Sequence, residues 1–168
     1  CWVTPELCEE LKLTALEAYI QRILSENDAM KDQLGLNREY NIQFAVYTGK
    51  GEGYNRHKDA FPASLNSNSG SNPTTTSVAS GTRQLTCLIY LNKEWEPEDG
   101  GQLRVFTFPG TTIEGGGEGF NFWGVNGYDI DPLYGRMVIF RSEIVEHAVL
   151  PCFYERLALT FWAHGTGP

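Results

Sequence analysis

His57, Lys58 and Asp59 place an imidazole and a carboxylate two residues apart. On an extended segment, residues i and i+2 point to one face, so both side chains reach the same space while Lys58 points away. A second imidazole from a distant strand completes two nitrogens and one oxygen on one side of a metal ion, the arrangement that leaves positions open on Fe(II). His147 is the expected third ligand, because the only other histidine, His164, lies near the chain end beyond the last expected strand. Taken alone, a His-x-Asp pair is more often a surface or core histidine than a ligand. Its context along the chain changes that balance.

Nine residues after His147, Arg156 begins the alternating run Arg156-Leu157-Ala158-Leu159-Thr160-Phe161-Trp162. A guanidinium projecting from a strand into an apolar barrel is costly to bury without an anion. The distal carboxylate of 2-oxoglutarate is a suitable anion, because its two oxygens match the planar guanidinium fork. A tyrosine hydroxyl can share that carboxylate, and Tyr90 at the end of an apolar run is the candidate. The competing readings are an ordinary ion pair of Arg156 with Glu155 or another acid, and core packing of Tyr90 with its hydroxyl at the rim.

The elements that must hold these residues are mostly strands. Short runs rich in β-branched and aromatic residues, separated by turn residues, predict strands over 42–48, 54–58, 84–91, 102–108, 137–141, 148–150 and 156–162. Ahead of them, Thr4-Pro5-Glu6 supplies an N-cap, a proline at the first helical position and an early acid. Leu7, Leu11, Ala15, Ala18, Tyr19, Ile23 and Leu24 then recur at helical spacing, predicting an amphipathic helix of about five turns packed on a sheet. Many short strands behind one helix predict a mainly β fold, a sandwich or barrel with helical support.

Two stretches interrupt the pattern. Residues 64–81 are almost entirely Ser, Asn, Thr and Gly, a composition that buries too little apolar surface to fold and predicts a flexible insertion. Residues 110–127 mix Gly115-Gly116-Gly117 with Phe120, Phe122 and Trp123, and are expected to form a second insertion that folds over the core or lines a pocket mouth. Its glycines lack the strand-to-helix setting of a phosphate-binding loop.

The totals bound what this constellation can serve. The 168 residues, 41% of them apolar, fit one globular domain, 1–168, and no run approaches the ~18 apolar residues of a membrane span. A net charge of -8 repels phosphate backbones and disfavours nucleic acid as a partner. Cys1, Cys8, Cys87 and Cys152 are too scattered for a disulfide scaffold, so buried free thiols and a reducing compartment, cytoplasm or nucleus, are expected. The chain opens on Cys1 with no signal-peptide pattern and reads as an excised domain, with a monomer the favoured state.

Ordered blocks carry a resemblance. Tyr54-Asn55-Arg56-His57-Lys58-Asp59 is followed by Leu85-Thr86-Cys87-Leu88-Ile89-Tyr90-Leu91-Asn92 with Trp95, and by Gly100-Gly101-Gln102-Leu103. Then come Gly135-Arg136-Met137-Val138-Ile139-Phe140-Arg141-Ser142, Glu146-His147-Ala148-Val149, Pro151 and the Arg156 to Trp162 run. From about Tyr40 to Trp162 this order resembles the prolyl 4-hydroxylase superfamily of Fe(II)- and 2-oxoglutarate-dependent dioxygenases. An arginine at the anchor position is similar to the oxygen-sensing and cytoplasmic prolyl hydroxylases rather than the collagen type.

The resemblance implies a double-stranded β-helix (jelly-roll, cupin-like), with Fe(II), 2-oxoglutarate and O2, and ascorbate as reductant. It also implies that Tyr47 and Thr160 lie near 2-oxoglutarate, that Trp162 is a pocket wall, and that Tyr54, Arg141 and Trp162 lie toward the substrate. A proline in a protein or peptide is the implied target. The same chemistry on another side chain, a free amino acid or a nucleobase is an alternative, as is a catalytically silent binding module of the same fold. Nucleobase demethylases of this fold carry a second arginine six residues after the anchor, where this chain has Trp162.

Overall fold

The computed structural model describes residues 2–3, 14–26, 33–61, 83–107, 120–122 and 125–166. Their strands are β1 (Trp2–Val3), β2 (Leu36–Thr48), β3 (Glu52–His57), β4 (Arg83–Tyr90), β5 (Leu103–Thr107), β6 (Phe120–Phe122), β7 (Val125–Ile130), β8 (Met137–Arg141), β9 (Glu146–Cys152) and β10 (Glu155–Gly165). A helix, α1 (Thr14–Glu26), precedes β2. Two five-stranded antiparallel sheets result, a major one in the order β1-β2-β10-β4-β8 and a minor one in the order β3-β9-β5-β7-β6. Successive strands cross between the sheets, as in the double-stranded β-helix that the resemblance implies.

All seven predicted strands are present. β2 and β10 extend beyond the predicted bounds because each pairs along nearly its whole length with the other, from Glu155 opposite Thr48 to Gly165 opposite Leu36. The register shifts between Ala163 and Gly165, and there the polar residues Asn37 and Glu39, which no apolar alternation marks, pair locally, Glu39 N–H donating to Asn37 Oδ1 at 2.8 Å. Within the stretch 110–127, read as an insertion, Phe120–Phe122 pairs with the start of Val125–Ile130. The Asn126-Gly127 pair looks like a turn, yet Gly127 sits opposite Phe106 on one side and Phe120 on the other. Ladder hydrogen bonds override the local preference there. Residues 64–81 and 110–119 lie outside the described residues.

Period-two alternation divides the major sheet into two faces. Leu85, Cys87 and Ile89 of β4, Leu159, Phe161 and Ala163 of β10, and Ile42 of β2 form one apolar cluster, closed by Ile20 of α1. Leu16 packs against the same cluster, so the helix buries an i, i+4 pair. Of the face predicted for this helix, Ala15, Ala18 and Tyr19 are exposed, and the predicted start at Thr4-Pro5-Glu6 lies outside the described residues. A stripe including 15, 18 and 19 is rotated away from the Leu16 to Ile20 line that faces the sheet. Cys87 and Cys152 are buried free thiols, as expected. No helix among the described residues is long and apolar enough to cross a membrane.

Candidate active site

The opposite face of the same strands builds a cleft of about 360 Å³. Gln43, Ala45 and Tyr47 come from β2, and Arg156, Ala158, Thr160 and Trp162 from β10. Ala158 stands directly opposite Ala45, with the larger Arg156 and Tyr47 opposed at one end and Thr160 and Gln43 at the other. Two small side chains at the centre leave the space that larger ones would fill. His57, His147, Leu103 and Val149 close the cleft from the minor sheet.

His57 and His147 are brought together by strand register, for they face each other directly across β3 and β9. Asp59 follows beyond the end of β3, and its carboxylate lies 3.4 Å from His57 Nε2 and 3.8 Å from His147 Nε2. One ligand atom from each of the three lies within 4.8 Å of the other two. Both imidazoles are oriented from behind. His57 Nδ1 lies 2.7 Å from the Asn55 carbonyl, and His147 Nδ1 lies 3.2 Å from that of Val145. A carbonyl can only accept, so each Nδ1 carries a proton, and in the neutral form of each ring Nε2 presents a lone pair to the cleft.

The strand stops at His57, so alternation alone does not place Asp59. Its backbone is held where Ala60 N–H donates to the Ser142 carbonyl at 3.1 Å. Its side chain accepts from Thr86 Oγ1 at 2.7 Å, and Thr86 in turn meets Ser142 Oγ at 2.9 Å. Lys58 also lines the cleft. Thr86 and Ser142 were not singled out from the sequence: buried hydroxyls announce nothing until the fold shows what they touch.

Electrostatics suit a cation. Burial works to raise the Asp59 pKa, but hydrogen bonding from His57, the charge of His147 and hydrogen bonds from Thr86 and Trp162 outweigh it and hold it at about 2. Burial lowers the pKa of His147, favouring its neutral, ligating form. For His57 burial acts in the same sense, yet the bond to Asp59 and the Asn55 carbonyl prevail and raise it. On the outer surface, Arg56 and Glu146, the neighbours of the two histidines, form an ion pair across β3 and β9. The Arg56 guanidinium lies 4.2 Å from the Phe106 ring centroid.

At the other end of the cleft, Arg156 is only 3% exposed. Its Nε donates to the Gly101 carbonyl at 2.7 Å, and its guanidinium sits 5.1 Å from the ring centroids of both Tyr47 and Tyr90. Gly101 has φ +74, and a Cβ there would meet Arg156 Cδ at 2.8 Å and Cys152 Sγ at 2.9 Å, so glycine lets the arginine lie flat. Trp95 Nε1 donates to the Gly100 carbonyl at 2.8 Å and braces this turn. Arg156 Nη2 and the Tyr90 hydroxyl, both buried, have no well-formed hydrogen bond among the described residues. Burial raises the Tyr90 pKa and the Arg156 charge only moderates it, so the phenol is a neutral donor. A buried cation and a buried hydroxyl facing the same space fit a carboxylate, and the triad fits a divalent metal.

Of the residues singled out from the sequence, the structure brings His57, Asp59, His147, Arg156, Tyr47, Tyr54, Thr160 and Trp162 to this cleft. Tyr90 lies behind the lining, against Arg156. Arg141 does not line the cleft: on the edge strand β8, its Nη2 pairs with Glu143 at 3.0 Å. The neighbouring acid and the edge position decide its partner.

Two histidines and an aspartate that could hold a metal thus share one cleft with a buried, incompletely paired arginine, inside a double-stranded β-helix. The chain belongs to the 2OG-Fe(II) oxygenase superfamily, which matches residues 42–164. It is 32% identical over 120 residues to prolyl hydroxylase EGLN3 of Homo sapiens, covering 70% of this chain and 37% of that protein. It is 31% identical over 129 residues to Egl nine homolog 1 of Homo sapiens, covering 76% of this chain and 23% of that protein. The chain thus spans well under half the length of these curated relatives.

Among solved structures, a prolyl-4-hydroxylase of Pseudomonas putida superposes with a TM-score of 0.64 at 29% identity, covering 99% of this chain and 72% of that one. A prolyl hydroxylase of Trichoplax adhaerens, solved with a hypoxia inducible factor peptide fragment, shares the fold with a TM-score of 0.67 at 24% identity, covering 98% and 61%.

Proposed function

We propose that this chain carries out Fe(II)- and 2-oxoglutarate-dependent hydroxylation of a proline in a protein or peptide. The observation that carries the reading is Arg156: a buried guanidinium with an unsatisfied Nη2, beside the unsatisfied Tyr90 hydroxyl and in one cleft with the His57, Asp59 and His147 triad. When bound, Fe(II) and 2-oxoglutarate supply the oxidising chemistry, in which O2 is consumed, 2-oxoglutarate becomes succinate and CO2, and a substrate C–H becomes C–OH.

The protein's own groups do the positioning. The Nε2 atoms of His57 and His147 and the ionised Asp59 carboxylate would hold the metal. Arg156 and Tyr90 would hold the distal carboxylate of 2-oxoglutarate, with Tyr47 and Thr160 lining the same cleft. Leu88, Leu103 and Val149 line the same space and exclude water. Trp162 and Tyr54, the latter 56% exposed, form the wall and rim toward the substrate.

The proline target is supported by the relatives, two of which are named prolyl hydroxylases at 29% and 32% identity. A peptide partner fits a cleft open to solvent at Tyr54, and ascorbate fits as the reductant that keeps the iron ferrous. The test is mass spectrometry of proline-containing peptides incubated with protein, Fe(II), 2-oxoglutarate, ascorbate and air. A +16 Da product on proline, with one succinate per hydroxyl, is expected. Verified iron loading with no succinate and no product contradicts the reading.

A further inference from the structure

Once the metal and cosubstrate are in place, the described cleft keeps an excess of positive charge. Fe(II) brings +2, 2-oxoglutarate -2, Asp59 -1 and Arg156 +1, which sum to zero with both histidines neutral. Two charged side chains of the lining remain, Lys58 and Arg83. Arg83 is fixed: its guanidinium lies 4.2 Å from the Trp162 ring centroid, and its Nη1 donates to the Asp59 carbonyl at 3.4 Å. Lys58 stands between two metal ligands in sequence, and the ion pairs among the described residues leave it out. Among the described residues, no acid other than Asp59 lines the cleft. The sequence from Ala60 to Thr82, which joins this part of the chain to Arg83, holds no charged residue.

This local sign is opposite to the chain's net charge of -8. A cleft lined by one sign of charge between low-dielectric walls focuses the field on its mouth. Resting on the prolyl reading above, we infer that Lys58, supported by Arg83, selects peptides that carry a carboxylate side chain beside the target proline. An acid there meets two cations and an aromatic wall, whereas a lysine there meets like charge. Lys58 is a specificity-determining residue in this account, with no part in the chemistry.

The experiment compares acetylated and amidated peptides identical except for Glu, Gln or Lys flanking a single proline, with free L-proline as a further arm. In the wild-type protein the Glu peptide is expected to exceed the Gln peptide roughly tenfold in kcat/KM, mainly through KM, and the Lys peptide by more. The preference shrinks as salt rises from 50 to 300 mM, because the Debye length falls from about 14 to about 6 Å. Lys58→Glu reverses the order, and Lys58→Met brings the Glu to Gln ratio near one, with thermal midpoints recorded to show that both variants fold.

Equal kcat/KM for the Glu and Gln peptides in the wild type overturns the inference while leaving prolyl hydroxylation standing. So does an undiminished preference in folded Lys58→Met. Free proline outcompeting every peptide also overturns it. Absence of hydroxyproline from every arm, with 2-oxoglutarate binding intact, contradicts the prolyl reading and this inference with it.

Discussion

The major sheet has two faces built from the same three central strands, and they obey opposite rules. On one, Leu85, Cys87, Ile89, Leu159 and Phe161 interlock with Ile20 of the helix, and the cluster is wholly apolar. On the other, Thr86, Tyr90, Arg156 and Thr160 are equally buried, yet Arg156 and Tyr90 each keep an unsatisfied polar atom. A sheet can tolerate such a face because its reverse is so well packed: stability resides on the helix side, and the cleft side is left to be completed by ligands. One residue's shift along β4 or β10 crosses from one regime to the other.

Mutations separate the two regimes. The largest effect belongs to the metal triad: His147→Ala or Asp59→Ala should bring Fe(II)-dependent succinate formation to background in a turnover assay, while the folded state persists by circular dichroism. Next is Arg156→Met. Losing one partner of a buried charge pair costs about 2–5 kcal/mol of binding, so the KM for 2-oxoglutarate should rise on the order of 10²-fold or more. Removing an unpaired buried charge should also leave the thermal midpoint of the ligand-free protein unchanged or higher. Phe161→Ala, five residues along the same strand and on its opposite face, should do the reverse, costing about 3–5 kcal/mol in denaturant unfolding with little change in that KM.

Smaller effects probe how the triad is held. Thr86→Val deletes the hydrogen bond to Asp59 at nearly constant volume, and metal affinity, measured by titration with Fe(II) under anaerobic conditions, should fall roughly 10-fold. The metal must also displace any proton from His57, whose pKa is raised. Affinity is therefore full above that value and declines as the pH is lowered through it, by about tenfold per unit once His57 is protonated. Smallest of all, Cys87 should stay unmodified by a thiol alkylating agent at pH 8, because burial pushes its pKa up to about 12.

Legibility in the sequence followed the same division. Alternation over 84–91 and 156–162 marks strands whose two faces both matter, and Arg156 stands out because a charge in such a run demands an anion. The His57, Asp59 and His147 set is legible through residue type and spacing. What stays hidden depends on where a strand ends or which neighbour it meets. β3 stops at His57, so Lys58 lines the cleft as well and Thr86 and Ser142 take over the placing of Asp59. Arg141 pairs with Glu143 two residues away, and Gly127 lies in a ladder although Asn-Gly is a turn signal. The helix likewise shows many apolar positions, and only docking selects Leu16 and Ile20.

The most direct test of the central claim, that the cleft is finished by a metal and a dicarboxylate gripped by Arg156, is thermal denaturation of the Mn(II)-loaded protein as 2-oxoglutarate is added. Binding to the native state alone stabilises it by about 2.7 kcal/mol at a hundredfold excess over Kd, so the wild-type midpoint should climb steadily with ligand, and that of Arg156→Met should not. A wild-type midpoint that ignores 2-oxoglutarate, or an equal climb in Arg156→Met, would contradict it.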